Sequence, residues 1–160
     1  MKNNICIFPG SFNPFTLGHK HLVDEALKRY EHVIVAVAEE TYKEDMLSKE
    51  IRVKLASKSL ANLDGIDVKC FSGMLTDFLK EEDCFNIVRG FRNEVDYEYE
   101  KELERIYVSM DQRVNFVLIK SELTDISSEM VRNAVANRQP YEHLISKEIA
   151  DDVKKYYEYN

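Results

Sequence analysis

Residues 9–19 read Pro9-Gly10-Ser11-Phe12-Asn13-Pro14-Phe15-Thr16-Leu17-Gly18-His19 and follow a wholly apolar run, Ile5-Cys6-Ile7-Phe8. The run has the length and character of a buried strand, and Pro9-Gly10 stops it. A turn containing Ser11 and Asn13 comes next, and Thr16-Leu17-Gly18-His19 then opens an amphipathic helix. That layout sets a hydroxyl, backbone N–H groups and an imidazole together at the carboxyl end of a strand. Open α/β sheets bind ligands at that end, and helix N-termini attract anions. The local chemistry is that of a phosphate site.

Working outward, apolar and β-branched runs at residues 4–8, 32–38, 66–71, 85–88 and 115–119 read as five buried strands. They are more nearly continuous than alternating, which suits parallel strands covered on both faces. Helical patterns separate them. Leu22, Val23, Ala26, Leu27 and Tyr30 make one apolar face. Ile51, Leu55, Ala56 and Leu60 repeat the pattern over 48–60, and the turn Asn62-Leu63-Asp64-Gly65 ends it. Further helices are expected at 74–80, 97–110 and 127–137, and a terminal helix at 146–159 carries Tyr156, Tyr157 and Tyr159. These tyrosines have two destinations, the domain itself or a neighbouring subunit. Alternating β and α units with right-handed crossovers predict an α/β fold with a doubly wound parallel sheet of five strands.

The chain of 160 residues is 44% hydrophobic and 32% charged, enough for a single domain over 1–160 with one real core and a C-terminal helix. No apolar stretch approaches the roughly 20 residues that span a bilayer, and Met1-Lys2-Asn3-Asn4 has no signal-peptide pattern. A cytoplasmic protein without a membrane partner is expected. Cys6, Cys70 and Cys84 show neither C-x-x-C nor metal-ligand spacing, so they read as small buried or half-buried thiols, with no protein-bound metal. A net charge of −7 argues against a nucleic-acid surface, which normally carries a basic stripe. It leaves room for local cationic clusters, and most of the acidic residues of 94–104 read as a solvated helix face.

Three further segments fall at strand-to-helix junctions on the same sheet edge as Thr16–His19. Lys43 follows strand two. Arg89-Gly90-Phe91-Arg92 follows strand four and leads into Asp96-Tyr97-Glu98-Tyr99-Glu100. Ile126-Ser127-Ser128 follows strand five and opens a helix. Three cations and one histidine are thereby expected to converge on a helix N-terminus, whereas His21, His32 and His143 read as ordinary surface or strand-edge residues.

On these residues the chain resembles the nucleotidyltransferase superfamily that carries a His-x-Gly-His or Thr-x-Gly-His signature. Within it, the chain is most similar to the bacterial phosphopantetheine adenylyltransferase family. Pro9-Gly10-Ser11-Phe12 and Thr16-Leu17-Gly18-His19 are shared across the superfamily and speak to reaction type. Gly73-Met74-Leu75-Thr76-Asp77-Phe78, Arg89–Arg92 and the acidic-tyrosine segment 96–100 are the specific part of the resemblance. It implies a Rossmann-like nucleotidyltransferase fold and transfer of AMP from ATP to 4′-phosphopantetheine, giving dephospho-coenzyme A and pyrophosphate. It also implies a cytoplasmic homo-oligomer, a hexamer, and coenzyme A as an inhibitor occupying the site.

The resemblance also carries roles. His19, with Gly18 allowing close backbone approach, would bond the ATP α-phosphate and stabilise the transition state. Ser11 and Phe12 match the turn that meets nucleotide and acceptor. Lys43 and Arg89 match the cations on the acceptor phosphate, and Leu75 the apolar contact to the pantetheine arm. Gly90, Phe91, Arg92 and Glu100 match nucleotide contacts. Leu123, Thr124, Asp125, Ile126, Ser127, Ser128 and Glu129 match the loop and helix N-terminus that hold adenine and the outer phosphates.

The chemistry asks for these residue types independently. A phosphate monoester is largely ionised near neutral pH, its second pKa being about 6, so the acceptor needs no general base. The reaction needs less repulsion between two anions, in-line alignment and stabilised charge on the α-phosphoryl oxygens. Magnesium is expected to arrive on the ATP phosphates, because this ion retains waters and uses few protein ligands.

Departures from the family pattern stand out. Glu129 replaces a third serine at the last helix and would repel a phosphate docked there. Residues 120–125 lack the usual Pro-Ser start, residues 103–110 lack the small-residue and Asn-Arg pattern, and Asn13 stands where Asp is frequent. Two rival readings remain open: adenylyl transfer to nicotinamide mononucleotide, and a nucleotide sensor that has lost catalysis.

Overall fold

The computed structural model describes residues 4–39, 46–121, 123 and 126–158. Five strands form one parallel sheet: β1 (Ile5–Gly10), β2 (His32–Ala38), β3 (Ile66–Phe71), β4 (Asn86–Phe91) and β5 (Asn115–Lys120). Their order across the sheet is β3-β2-β1-β4-β5. The chain therefore winds outward from β1 in one direction, returns, and winds outward in the other. The point of reversal lies between β1 and β4. β1 pairs with β2 from Ile5↔His32 to Gly10↔Val37, whereas its register with β4 is Ile7↔Ile87. A crevice at the carboxyl ends of β1 and β4 is the expected consequence of this topology.

The helices are α1 (Leu17–Leu27), α2 (Lys49–Ser59), α3 (Leu75–Glu82), α4 (Glu94–Met110) and α5 (Ser128–Ala136). Alternation of side chains along the strands splits the core in two. Cys6, Phe8, Val33, Val35 and Val37 meet Leu22, Val23 and Ala26 of α1 and Ala56 of α2 on one face. Ile7, Ile34, Ala36 and Ile87 meet Phe78 and Leu79 of α3 and Leu103 and Tyr107 of α4 on the other. Local sequence explains the helix starts. Thr16, Ser48, Asn93 and Ser127 each accept a hydrogen bond from the backbone N–H three residues on, satisfying an otherwise orphaned donor.

The structure corrects several expectations. β3 and β5 are edge strands rather than strands buried on both faces, and Asp67 and Lys69 alternate outward from β3. β1 runs on through Pro9-Gly10, and β4 through Arg89-Gly90-Phe91. Pairing explains both: Pro9 and Gly10 lie opposite Ala36 and Val37, and Arg89 to Phe91 lie opposite Leu118 to Lys120. His32 opens β2, where its Nε2 lies 2.8 Å from Asp67 Oδ2 on the neighbouring strand. His21 is half-buried rather than surface, with Nε2 sealed from solvent.

The terminal helix is also not one regular helix. Short 3₁₀ turns at Glu142–Leu144 and Lys147–Ile149 lead to α6 (Ala150–Val153) and a π-turn at Lys154–Glu158; Tyr159 lies outside the described residues. Ile145, Ile149, Val153 and Tyr157 repeat every four residues and pack with Leu55 of α2 and Val131 of α5. Only the last step, Val153 to Tyr157, crosses the π-turn, where a turn wider than 3.6 residues offsets the drift of an i, i+4 pair. Tyr157 packs on this chain, its hydroxyl donating to Asn13 Oδ1 over 3.3 Å. The thiols behave as expected: Cys6 and Cys84 are buried and Cys70 is half-buried. Burial, with Cys84 nearby, pushes the Cys6 thiol up to about 12.

Candidate active site

The turn after β1 is held from behind. The carbonyl of Ser11 accepts from Arg52 Nη1 at 2.9 Å, that of Asn13 from Arg132 Nη1 at 2.7 Å, and that of Pro14 from the Ser128 hydroxyl at 2.7 Å. The Asn13 side chain accepts from the Leu47 N–H at 3.1 Å. Phe12 has a positive φ of 49° and is 2% exposed. Its ring is therefore core, set edge-on to His19 at 4.9 Å between centroids. What this turn can present to a ligand at Phe12 is backbone.

α1 starts with a capping box in which His19 fills the place usually taken by Glu or Gln. The Thr16 N–H donates to His19 Nδ1 at 3.0 Å, and the His19 N–H donates to Thr16 Oγ1 at 3.3 Å. Burial lowers the His19 pKa to about 4, so the ring is neutral at physiological pH. Gly18 is needed for a reason besides ligand approach: a Cβ there would fall 2.4 Å from the Ile126 carbonyl oxygen. The bare Cα lets the start of α1 lie directly against the residue that precedes α5.

Two cavities open at the carboxyl edge, with β4 between them. The first, about 450 Å³, is lined by Pro9, Gly10, Ser11 and Ala38, by Leu75 and its neighbours Gly73 and Met74, and by Arg89, Tyr107 and Met110. The second, about 490 Å³, is lined by Gly18 and His19, by Gly90, Phe91, Arg92 and Glu100, and by Leu123, Ile126, Ser127 and Glu129. Both have the size of small-ligand sites. Consecutive residues of a strand face opposite ways, which is why Arg89 serves one cavity and Gly90 the other. Gly90 also lies close to α1, since a Cβ on it would meet Leu22 Cδ1 at 2.8 Å.

Charge bridges the two cavities. Arg89 donates to Glu100 through Nε at 2.8 Å and through Nη2 at 3.0 Å, a two-pronged pair whose carboxylate side chain is 9% exposed. Arg92 similarly donates to Asp96 at 3.0 Å, but at the surface. Both arginines are therefore paired with acids of the run that follows them, and Glu100 is buried while Glu98 and Glu102 face solvent. His19 and Arg89 line adjacent cavities rather than one. The Ser128 hydroxyl is committed to Pro14, while Ser127 and Glu129 line the second cavity from the first turn of α5. Lys43, Thr124 and Asp125 lie outside the described residues. Arg52, on α2, is the functional candidate that sequence reading passed over. An arginine inside an amphipathic helix gives no signal of its burial.

The arrangement suits two anionic ligands meeting at the edge of β4, one beside a helix N-terminus with a neutral imidazole, the other over an apolar floor beside a guanidinium. The cytidylyltransferase-like family matches residues 7–134. A phosphopantetheine adenylyltransferase of Nautilia profundicola is 36% identical over 149 residues, covering 92% of this chain and 97% of the relative. Those of Clostridium perfringens and Moorella thermoacetica are 32% and 34% identical, covering 93% and 82% of this chain and 92% and 84% of their own lengths. A bifunctional NMN adenylyltransferase/ADP ribose pyrophosphatase from Francisella tularensis superposes with a TM-score of 0.72 at 15% identity. It covers 96% of this chain, which spans 49% of that one, and the likeness is one of fold.

Proposed function

The chain belongs to the cytidylyltransferase-like family and, with its relatives, to the phosphopantetheine adenylyltransferases, and from that premise we propose how its residues divide the work. The enzyme transfers AMP from ATP to 4′-phosphopantetheine, releasing pyrophosphate and forming dephospho-coenzyme A. ATP takes the second cavity. Its α-phosphate faces His19, its outer phosphates lie toward Ser127 and Glu129, and its nucleoside lies along Gly90, Phe91, Arg92 and Leu123–Ile126. Phosphopantetheine takes the first cavity, its arm on Leu75 and its phosphate near Ser11, Arg89 and Lys43. The observation that carries this division is the adjacency of the two cavities across Arg89 and Gly90.

In this mechanism no residue removes a proton from the acceptor, because the attacking phosphate oxygen is already ionised. The neutral His19 ring donates from Nε2 to the α-phosphoryl oxygens, where negative charge builds as the bond to the leaving pyrophosphate stretches. Arg89 offsets the repulsion between the acceptor and ATP, and its pairing with Glu100 holds the guanidinium plane still. Magnesium enters as part of the substrate, carried by the ATP phosphates. Asp96 and Glu100, which with Glu129 are the carboxylates lining this cavity among the described residues, are engaged by Arg92 and Arg89.

The same reading extends to assembly and regulation. Val95, Tyr99, Ile106 and Met110 are 79%, 66%, 50% and 50% exposed and follow one stripe of α4, an apolar surface suited to a homo-oligomer, a hexamer by family resemblance. Coenzyme A contains both the pantetheine arm and an adenosine nucleotide and would inhibit by occupying both cavities. Reduced, buried cysteines would suit a reducing cytoplasm, and among the described residues no helix is long and apolar enough to cross a membrane.

The experiment is pyrophosphate release from ATP with 4′-phosphopantetheine and, in parallel, with nicotinamide mononucleotide. Release with the first alone is expected. Preference for the second would overturn the acceptor assignment, and ATP binding without release under either condition would make the chain a nucleotide sensor.

A further inference from the structure

Arg52 is 1% exposed and heads the fully buried side chains by volume among the described residues. Among those residues no carboxylate lies within ion-pair distance of it. Its guanidinium donates instead to backbone carbonyls: Nε to Leu47 at 2.9 Å, Nη1 to Ser11 at 2.9 Å and to Ala38 at 2.7 Å, and Nη2 to Glu39 at 3.5 Å. Burial of a charge without a counter-ion is costly, and an apolar side chain of similar volume would normally serve stability better. Desolvation accordingly lowers the Arg52 pKa from its ordinary value.

The accepted carbonyls come from separate segments: the turn after β1, the exit of β2 and the entry to α2. Two of them, Ser11 and Ala38, share one nitrogen, and both residues line the first cavity. A trans peptide points its C=O and its N–H in opposite directions. At the Ala38–Glu39 peptide this is visible, since the carbonyl meets Arg52 while the Glu39 N–H donates to Phe71 O at 2.7 Å on the other side. By the same geometry, the grip on the Ser11 carbonyl turns the Phe12 N–H away from Arg52.

We propose that Arg52 is a positioning residue for adenylyl transfer: from behind the first cavity it fixes the Ser11 and Ala38 carbonyls, aiming the Phe12 N–H and setting where the acceptor phosphate sits relative to ATP. The proposal rests on the reading of the first cavity as the acceptor site. A lysine would replace it only in part, because an ammonium is a single point with three donors, whereas a planar guanidinium reaches several carbonyls in fixed directions.

The test is steady-state kinetics of Arg52→Lys and Arg52→Met beside the parent, at a temperature where circular dichroism shows each variant folded. The expected result is a fall in kcat of at least tenfold and a rise in the phosphopantetheine KM of at least fivefold for Arg52→Met. Arg52→Lys should show smaller losses in the same two constants. If the methionine variant does not fold, the lysine variant carries the test alone. A lowered melting temperature with kcat and acceptor KM of the folded protein within twofold of the parent would make Arg52 purely structural and overturn the proposal. A parent chain inactive toward phosphopantetheine would instead remove the acceptor reading itself, so the two failures are distinct.

Discussion

The Thr16 N–H donates to Nδ1 of His19 over 3.0 Å, and that bond decides which ring nitrogen keeps the proton. With Nδ1 accepting, the neutral ring carries its hydrogen on Nε2 and offers a donor at the start of α1. One side chain thus caps a helix and, in the proposed mechanism, serves the reaction, and substitution can separate the two roles. His19→Gln keeps an acceptor at the third helical position of the capping box, while His19→Ala loses it. Both variants should lose roughly 10²–10³ in kcat, the usual consequence of removing a donor that acts on transition-state charge. Only the alanine variant should lose stability, about 1 kcal/mol. Pyrophosphate release, chemical denaturation and calorimetric ATP binding check this together. ATP affinity falling as steeply as kcat would show that the contact acts in the ground state.

Burial lowers the His19 pKa to about 4 from 6.5, and the sign of the stability effect follows. Between these values the unfolded chain binds a proton that the folded chain does not. The contribution is therefore fully present above pH 6.5 and is lost as the pH falls through 4. Allowing for solvent at a half-buried ring, the loss amounts to roughly 2 kcal/mol. Stabilities of the parent and His19→Gln, equal near pH 7, should separate on acidification to pH 4, the parent becoming the less stable by about that amount. Parallel curves would mean that the ring titrates normally in the folded state.

Arg89 and Glu100 form a pair whose two halves have different jobs. Arg89→Ala leaves the Glu100 carboxylate buried without its partner, so it should destabilise the fold by about 3 kcal/mol. It should also raise the phosphopantetheine KM at least tenfold. Arg89→Met combined with Glu100→Met removes both charges and should recover most of the stability while the KM stays high. Recovery of KM along with stability would show that Arg89 matters only to packing.

Much of this site is readable along the chain because its chemistry is local. The turn at residues 9–15, the Thr16–His19 helix start and the strand-to-helix order all follow from neighbours in sequence, and β2 and β3 fall where their apolar runs end. What escapes is long-range. Nothing near Arg52 announces that the carbonyls of Ser11, Ala38 and Glu39 close around it, and nothing near Glu100 distinguishes it from Glu98 or Glu102 until α4 is packed against β4. The extension of β4 through Arg89-Gly90-Phe91 likewise depends on β5, whose partner residues lie about thirty positions away.

Glu129 is the departure from the family pattern that the structure leaves facing the nucleotide cavity, in the first turn of α5. A carboxylate there favours the helix dipole but opposes a phosphate docked on the same N–H groups. The side chain is exposed, so the repulsion is screened and worth about 1 kcal/mol at low salt. Glu129→Ser should therefore tighten ATP binding about threefold to tenfold in dilute buffer. The gain should shrink as salt is raised, and the phosphopantetheine KM should not move. Calorimetric titrations with ATP at low and high ionic strength read both effects. Weaker ATP binding in the serine variant would show instead that Glu129 assists the nucleotide, and the carboxylate would then belong with the binding groups rather than against them.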